Sequence, residues 1–397
     1  MTARRRVAVF TDNDFEKVNG VTTVLSAALA HVPADLSVRV YTASRLGADH
    51  PDYFAVPSWG VGIPFYGEMR MYWPPYRTLI RQLLDDGIDL IHLTTPGPLG
   101  LAAVAAARQL RLPLIGSFHT DLAQYTTLLS GRPALGAFMR HYMRWLYGQC
   151  RHVLVPSTST GALLASAGTA AARIGVWSRG VDAEAFHPDR RSAWLRAHWR
   201  ATADRPVVLY VGRVSEEKGV RQLPRLHDAL YRLGVDHRLV VIGDGPLRGE
   251  LGRLCPDALF PGTIGKAALA EAYASADVFV FPSTTDTAGN VVLEAQASGL
   301  PVVVSNAGGP RELMQPDITG HVCGPDPAAW IEATARLLVD ADRRRAMGQA
   351  ARAFAETRTW QATLAPLFDT YRRAACVPAP ADVDAGGPDG GAMRHVA

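Results

Sequence analysis

Two cationic side chains in a glycine-bounded loop are the first residues in this sequence whose chemistry asks for a ligand. The apolar run Val207–Val211 leads into Gly212-Arg213-Val-Ser-Glu-Glu-Lys218-Gly219, and a helix-patterned segment follows. A guanidinium and an ammonium beside the free N–H groups of a helix start suit a diphosphate, since the fixed charges and the helix dipole both favour an anion there. An arbitrary Arg/Lys pair on a loop is more often solvated surface. This pair gains weight because lysine occurs only at Lys17, Lys218 and Lys266, and because the loop leaves the end of a strand.

A second constellation lies in Phe281-Pro-Ser-Thr-Thr-Asp286-Thr-Ala-Gly289-Asn290-Val291-Val-Leu-Glu294. Asp286 ends a polar loop after an apolar strand, Gly289, Asn290 and Val291 open the next helix, and Glu294 lies in its first turns. Backbone amides at such a start bind sugar hydroxyls or phosphate, and a carboxylate like Glu294 accepts paired hydrogen bonds from a ribose diol. The plainer account, acids that favour a helix dipole, serves Asp286 equally well. It leaves the strand-loop-helix pattern around Glu294 as coincidence.

The first half carries matching pieces. Val18-Asn19-Gly20-Val-Thr-Thr23 opens a helix after the first strand, and Ser117-Phe-His119-Thr-Asp121 ends another strand. Thr94-Thr95-Pro-Gly-Pro-Leu99 is a further strand-end loop. A histidine at a strand end is, taken alone, more often structural than catalytic. Asp12-Asn13-Asp14 fits the Asp-x-Asp pattern that holds a divalent metal in some sugar-transferring enzymes.

These loops need elements to carry them. Strand candidates in the first half are Val7–Phe10, Ser37–Tyr41, Asp89–Leu93, Leu114–Phe118 and His152–Val155; in the second half they are Val207–Val211, His237–Ile242, Leu259–Pro261, Val278–Phe281 and Val302–Ser305. Helical patterns such as Thr22–His31, Leu99–Gln109, Gly219–Leu233, Lys266–Ala274 and Val291–Ser298 alternate with them. Runs too apolar for one-sided exposure, alternating with helices, predict an α/β protein of parallel sheets covered on both faces. Two sets of about five strands predict two Rossmann-like domains, with ligand loops facing across one cleft. The predicted division is an N-terminal domain over 1–176, a linker over 177–205 and a C-terminal domain over 206–358. A helical segment, 359–376, then returns to the N-terminal domain, broken at Pro366, and a Pro/Gly/Ala/Asp-rich tail, 377–397, is expected to be disordered.

Composition narrows the function. The chain has 397 residues, 48% hydrophobic and 20% charged, with 41 basic against 37 acidic residues and a net charge of +4. That balance gives no ground for a nucleic-acid partner, and no apolar stretch reaches the roughly 18–20 residues of a membrane span. The sequence runs from Met1 directly into the strand-like Val7–Phe10 without a signal peptide's apolar core, and its four scattered cysteines form no CxxC. These features predict a reduced cytoplasmic protein without structural zinc.

The motifs Gly212-Arg213 with Lys218-Gly219, Val241-Ile-Gly243-Asp-Gly245-Pro246, Tyr273-Ala-Ser-Ala-Asp277, Asp286-x7-Glu294 and Ser305-Asn-Ala-Gly-Gly-Pro-Arg-Glu312 occur in that order. Together they resemble retaining glycosyltransferases of family 4, with the GT-B fold, over about Arg6 to Tyr371. The resemblance implies a nucleoside diphosphate sugar held mainly by the C-terminal domain and an acceptor held mainly by the N-terminal one. It implies Arg213 and Lys218 as diphosphate ligands, Glu294 as ribose ligand, and Asp286 and His119 as donor-sugar contacts. Gly20, Gly212, Gly243, Gly245, Gly289, Asn290 and Val291 complete the implied donor site, and Thr95 and Arg179 stand on the acceptor side.

Two positions depart from the family pattern. Asp286 stands where Glu is commoner, and Asn19-Gly20 where Gly-Gly is common. Relatives of this kind neutralise the diphosphate with Arg, Lys and helix dipoles, so neither a metal nor a further cofactor is implied. The pattern most resembles bacterial GDP-mannose-dependent mannosyltransferases and sulfolipid-synthase-like enzymes, and Trp177-Ser-Arg179-Gly-Val-Asp182 is similar to members that use mannose or sulfoquinovose donors. GDP-mannose is the favoured donor, UDP-hexoses the alternative, and the implied acceptor is a lipid or glycan. Basic-aromatic segments, Pro64–Arg77 and Met139–Tyr147, add an expectation of peripheral contact with the inner membrane surface. The competing readings are a sugar-nucleotide isomerase of the same fold and a non-catalytic sugar-nucleotide-binding protein.

Overall fold

The computed structural model describes residues 4–13, 15, 20–43, 52–63 and 66–375. Asp14, Val18, Asn19 and the 377–397 tail lie outside the described residues. The first half contributes β1 (Arg5–Thr11), β2 (Leu36–Thr42), β3 (Tyr53–Ala55), β4 (Trp59–Ile63), β5 (Tyr66–Trp73), β6 (Leu90–Leu93), β7 (Leu114–Ser117), β8 (His152–Val155) and β9 (Ile174–Val176). Seven of these form one parallel sheet in the order β3-β2-β1-β6-β7-β8-β9, while β4 and β5 pair as a separate antiparallel hairpin. The second half contributes β10 (Val207–Val211), β11 (Arg238–Ile242), β12 (Leu259–Gly262), β13 (Val278–Phe281), β14 (Val302–Ser305) and β15 (Gly320–Cys323). They form a six-stranded parallel sheet in the order β12-β11-β10-β13-β14-β15.

The central strands are buried along their whole length, as β6, β7, β10, β13 and β14 show. Helices on both faces leave no solvated side, which is why these runs are apolar rather than alternating. In each sheet the chain first builds outward on one side of its first strand and then returns to the other side. The order therefore reverses between β1 and β6, and again between β10 and β13. The carboxyl ends of strands at such a reversal are where open α/β sheets bind ligands. The expectation of about five strands per sheet undercounts: in the first sheet β3 and β9 are three-residue edge strands that stay partly exposed, and in the second the edge strand β15, Gly-His-Val-Cys, carries too little apolar pattern to read.

One expectation fails outright. The C-terminal segment is a continuous helix, Trp360–Ala375, with Pro366 inside it. Leu364, Leu367, Phe368, Tyr371 and Ala374 bury one face in the N-terminal core, while Pro366 and Ala362 face solvent. The hydrogen bond that the proline removes is therefore on the exposed face, where solvent can replace it, and packing on the other face outweighs its loss. Chain crossing between the two halves is stitched where Val181 bridges Thr359 and its N–H donates to Arg358 O at 2.8 Å.

Candidate active site

The loop after β10 is shaped by backbone lying on backbone. Gly212 N–H donates to Ile242 O at 3.0 Å, and Val214 N–H to Asp244 O at 2.8 Å. A Cβ on Gly243 would lie 1.9 Å from Gly212 O, and one on Gly245 would lie 2.3 Å from Val214 O. No side chain fits at either position, so the Gly243–Pro246 motif fixes where the loop carrying Arg213 runs. A one-turn helix, Glu216–Lys218, then presents Lys218 before the helix Gln222–Arg232.

Lys218 Nζ donates to both carboxylate oxygens of Asp286, at 2.8 Å each, and both side chains are largely buried. The loop that carries Asp286 is tied to the lysine loop, since Thr285 Oγ1 donates to Glu217 O at 2.8 Å. Burial opposes the Lys218 ammonium, but Asp286, Tyr125 and Glu217 outweigh it and raise its pKa. Tyr125 belongs to the helix Leu122–Ser130 of the first half and interacts with Lys218, Asp286 and Thr285. Burial chiefly raises its own pKa. Nothing in the sequence pattern marks Tyr125, because only the facing of the two sheets brings it there.

Gly289 precedes the helix Asn290–Ala297, and Gly20 begins the helix Gly20–Ala30. A Cβ on Gly20 would stand 3.8 Å from Asn290 Nδ2. Two helix N-termini from different halves therefore approach each other, and each directs partial positive charge into the space between them. Half-buried Val291 follows in the first turn, and Glu294 one turn on accepts from Tyr273 OH at 3.0 Å. Burial pushes the Glu294 carboxyl up to about 7 against the weaker opposing pull of Tyr273 and Lys266.

Across the cleft, His119 is buried with both ring nitrogens engaged. Nε2 lies 2.9 Å from Ser117 Oγ, and Nδ1 lies 3.0 Å from Arg179 Nη2. The His119 carbonyl accepts from Thr287 Oγ1 at 2.5 Å, which sets the histidine against the Asp286–Thr287 loop. Ser117 Oγ also meets His92 Nε2 at 2.8 Å, and His92 Nδ1 meets Tyr371 OH at 2.8 Å. The structure thus brings Arg179 to His119, while Thr95 stands apart with Asp12.

Thr95 Oγ1 donates to Asp12 Oδ2 at 2.6 Å, and Leu99 N–H donates to Asp12 Oδ1 at 3.0 Å. Asp12 thereby supplies the carboxylate that the helix Pro98–Leu110 lacks at its own N-cap, Gly97. Burial raises the Asp12 pKa despite these bonds. Both oxygens serve the fold, so the Asp-x-Asp resemblance has a structural explanation at Asp12.

Glu312, last residue of the Ser305–Glu312 motif, reaches into the first half. Its carboxylate accepts from Thr158 N–H and Oγ1 at 2.6 Å each and from Ser159 N–H at 2.8 Å. It caps the helix Thr158–Ser166 from the other domain and ties the halves together. Burial works against this carboxylate, but the Ser159 and Thr158 bonds prevail and its pKa is lowered.

Comparison with known proteins identifies the family and the fold. Residues 205–340 match the model for glycosyl transferases group 1, and residues 18–185 match that for glycosyltransferase family 4. Sucrose-phosphate synthase from Thermosynechococcus elongatus shares the fold at a TM-score of 0.72, with 22% identity over 93% of this chain and 99% of that one. The two facing parallel sheets are thus a GT-B fold. A GDP-mannose-dependent alpha-mannosyltransferase of Corynebacterium glutamicum is 33% identical over 375 residues, 92% of this chain and 88% of its own. A sulfoquinovosyl transferase of Arabidopsis thaliana is 34% identical over 324 residues, 79% of this chain and 62% of its own. The chain belongs to glycosyltransferase family 4.

Proposed function

We propose that this glycosyltransferase moves a hexose, mannose in the first instance, from a nucleoside diphosphate sugar to an acceptor hydroxyl with retention of configuration. The observation that carries the reading is the approach of two helix N-termini, at Gly20 and at Asn290, in a cleft that also holds the Lys218–Asp286 pair. Arg213, Lys218 and the helix starts support the diphosphate as it departs, Glu294 takes the ribose hydroxyls, and Asp286 and His119 face the sugar. In a front-face displacement the bond from C1 to the phosphate oxygen breaks while the bond from C1 to the acceptor oxygen forms on the same side. The acceptor proton passes to the departing phosphate oxygen, so no protein base is required. Fixed positive charge around that oxygen is the main catalytic contribution.

GDP-mannose is favoured by the relative from C. glutamicum, and a UDP-hexose is the second reading, favoured by the relative from A. thaliana. Binding titrations distinguish them, because a ligand that binds only the native state also raises its thermal stability. Saturable GDP-mannose binding is expected. Saturable UDP-hexose binding with no response to GDP-mannose would reverse the donor assignment.

The acceptor proposed is a glycolipid met at a membrane surface. The helix Pro133–Gly148 exposes Phe138 at 65% and Trp145 at 43%, interleaved with exposed Arg140 and Arg144. Such a face suits anionic lipid. The Pro64–Arg77 segment falls partly outside the described residues. Among the described residues, no helix is long and apolar enough to cross a membrane. A metal is not needed in this scheme. Transfer should be unchanged by EDTA, and activity abolished by EDTA and restored by magnesium or manganese would refute that.

A further inference from the structure

Among the described residues, no carboxylate pairs with the buried cation Arg179. Its side chain is 3% exposed, its guanidinium lies over the Trp177 ring at 5.6 Å, and Nη2 donates to His119 Nδ1 at 3.0 Å. Nη1 is buried with no hydrogen-bond partner. Burying a guanidinium without a carboxylate opposes folding, so packing alone gives no reason for an arginine here.

The contact with His119 supplies one. A guanidinium has five donors and no acceptor. His119 Nδ1 must therefore be the acceptor and carry no proton, and the ring proton sits on Nε2, which donates to Ser117 Oγ at 2.9 Å. The groups around the imidazole are Ser117 on β7, His92 on β6, Trp177 and Arg179 on the crossing segment, and Tyr371 beyond His92 on the C-terminal helix. Burial, then the charge on Arg179, then His92 hold the His119 pKa well below the usual histidine range.

We propose that Arg179 is a positioning residue for sugar transfer: it holds His119 as the neutral Nε2–H tautomer, with both ring nitrogens engaged by Ser117 and Arg179, so that the imidazole takes no part in proton transfer and stays fixed beside the Asp286–Thr287 loop. The proposal rests on the donor site assigned above, through the Thr287 bond to the His119 carbonyl. Its spectroscopic test does not depend on turnover.

In ¹⁵N-histidine NMR of the full chain, with His119 assigned by loss of its signals in His119→Gln, the wild type should show the Nε2–H pattern unchanged from pH 5 to 8. Arg179→Met should mix the tautomers or bring a titration into that range, whereas Arg179→Lys, which still donates, should keep the pattern. Where transfer is measured, Arg179→Met should lower kcat by roughly 10- to 100-fold, as displacement of a reacting partner does, with a smaller change in KM. Its melting temperature should equal or exceed that of the wild type. A wild-type His119 that titrates between pH 5 and 8, or an Arg179→Met protein with an unaltered tautomer and pH profile, overturns the proposal. Failure of Arg179→Met to fold also overturns it, by making the arginine structural. Absence of transfer with every nucleotide sugar would instead count against the donor site and leave the tautomer result standing.

Discussion

Replacing Lys218 by alanine should lower transfer at saturating donor by about 10²-fold or more, the usual loss when one transition-state charge partner is removed. The ammonium already sits between two largely buried carboxylate oxygens of Asp286, 2.8 Å from each. It is held charged and fixed before any donor arrives, which is the condition under which electrostatic support costs no reorganisation. The variant also deprives Asp286 of its partner, so unfolding should be measured alongside activity. Lys218→Arg is the control: it keeps the charge but replaces a compact ammonium with a planar fork, and should recover only part of the rate. Near wild-type turnover by Lys218→Ala would remove the lysine from the donor site.

The second large effect concerns Glu294. Its carboxyl titrates at about 7 in the folded chain against 4.5 in the unfolded one. Between those values the folded protein holds a proton that the unfolded chain has released. Its stabilising contribution is therefore complete below pH 4.5 and is lost as pH rises to about 7. The proposed ribose binding should run the other way, because only the carboxylate accepts two hydroxyl hydrogen bonds. Donor kcat/KM should rise with pH through about 7 while the apo melting temperature falls over the approach to it. Glu294→Gln should flatten both trends and raise donor KM by roughly 10- to 100-fold, the loss of hydrogen bonds to a charged group. A variant that kept the wild-type pH dependence of donor binding would place the titrating group elsewhere.

The parts of the molecule legible in its sequence share one property: the information is local. Val207–Val211, Val278–Phe281 and Val302–Val304 are short apolar runs bounded by polar or glycine-containing turns, and each forms a buried strand. Lys218, Asp286, Glu294 and Asn290 are likewise readable, since each occupies a strand-loop-helix unit and the units recur in order. What the sequence conceals is held by distant contacts. Asp12 caps a helix through Leu99, 87 residues away, and Glu312 caps one through Thr158, 154 residues away. Ser157-Thr158-Ser159 does signal a helix start, but Ser157 supplies the cap from its own end and gives no hint of a second one from the other domain. Pro366 misleads for a related reason: the local rule breaks the helix, and the buried face of Leu364, Leu367, Phe368 and Tyr371 keeps it whole.

The central claim, retaining hexose transfer from a nucleoside diphosphate sugar, is tested most directly by incubating the protein with GDP-mannose and glycolipid vesicles and reading the product by NMR. The account predicts GDP release coupled to a new glycolipid mannoside whose anomeric configuration matches that of the donor, with no change to the donor when acceptor is omitted. Conversion of the sugar nucleotide without acceptor, or a product of inverted configuration, would contradict it.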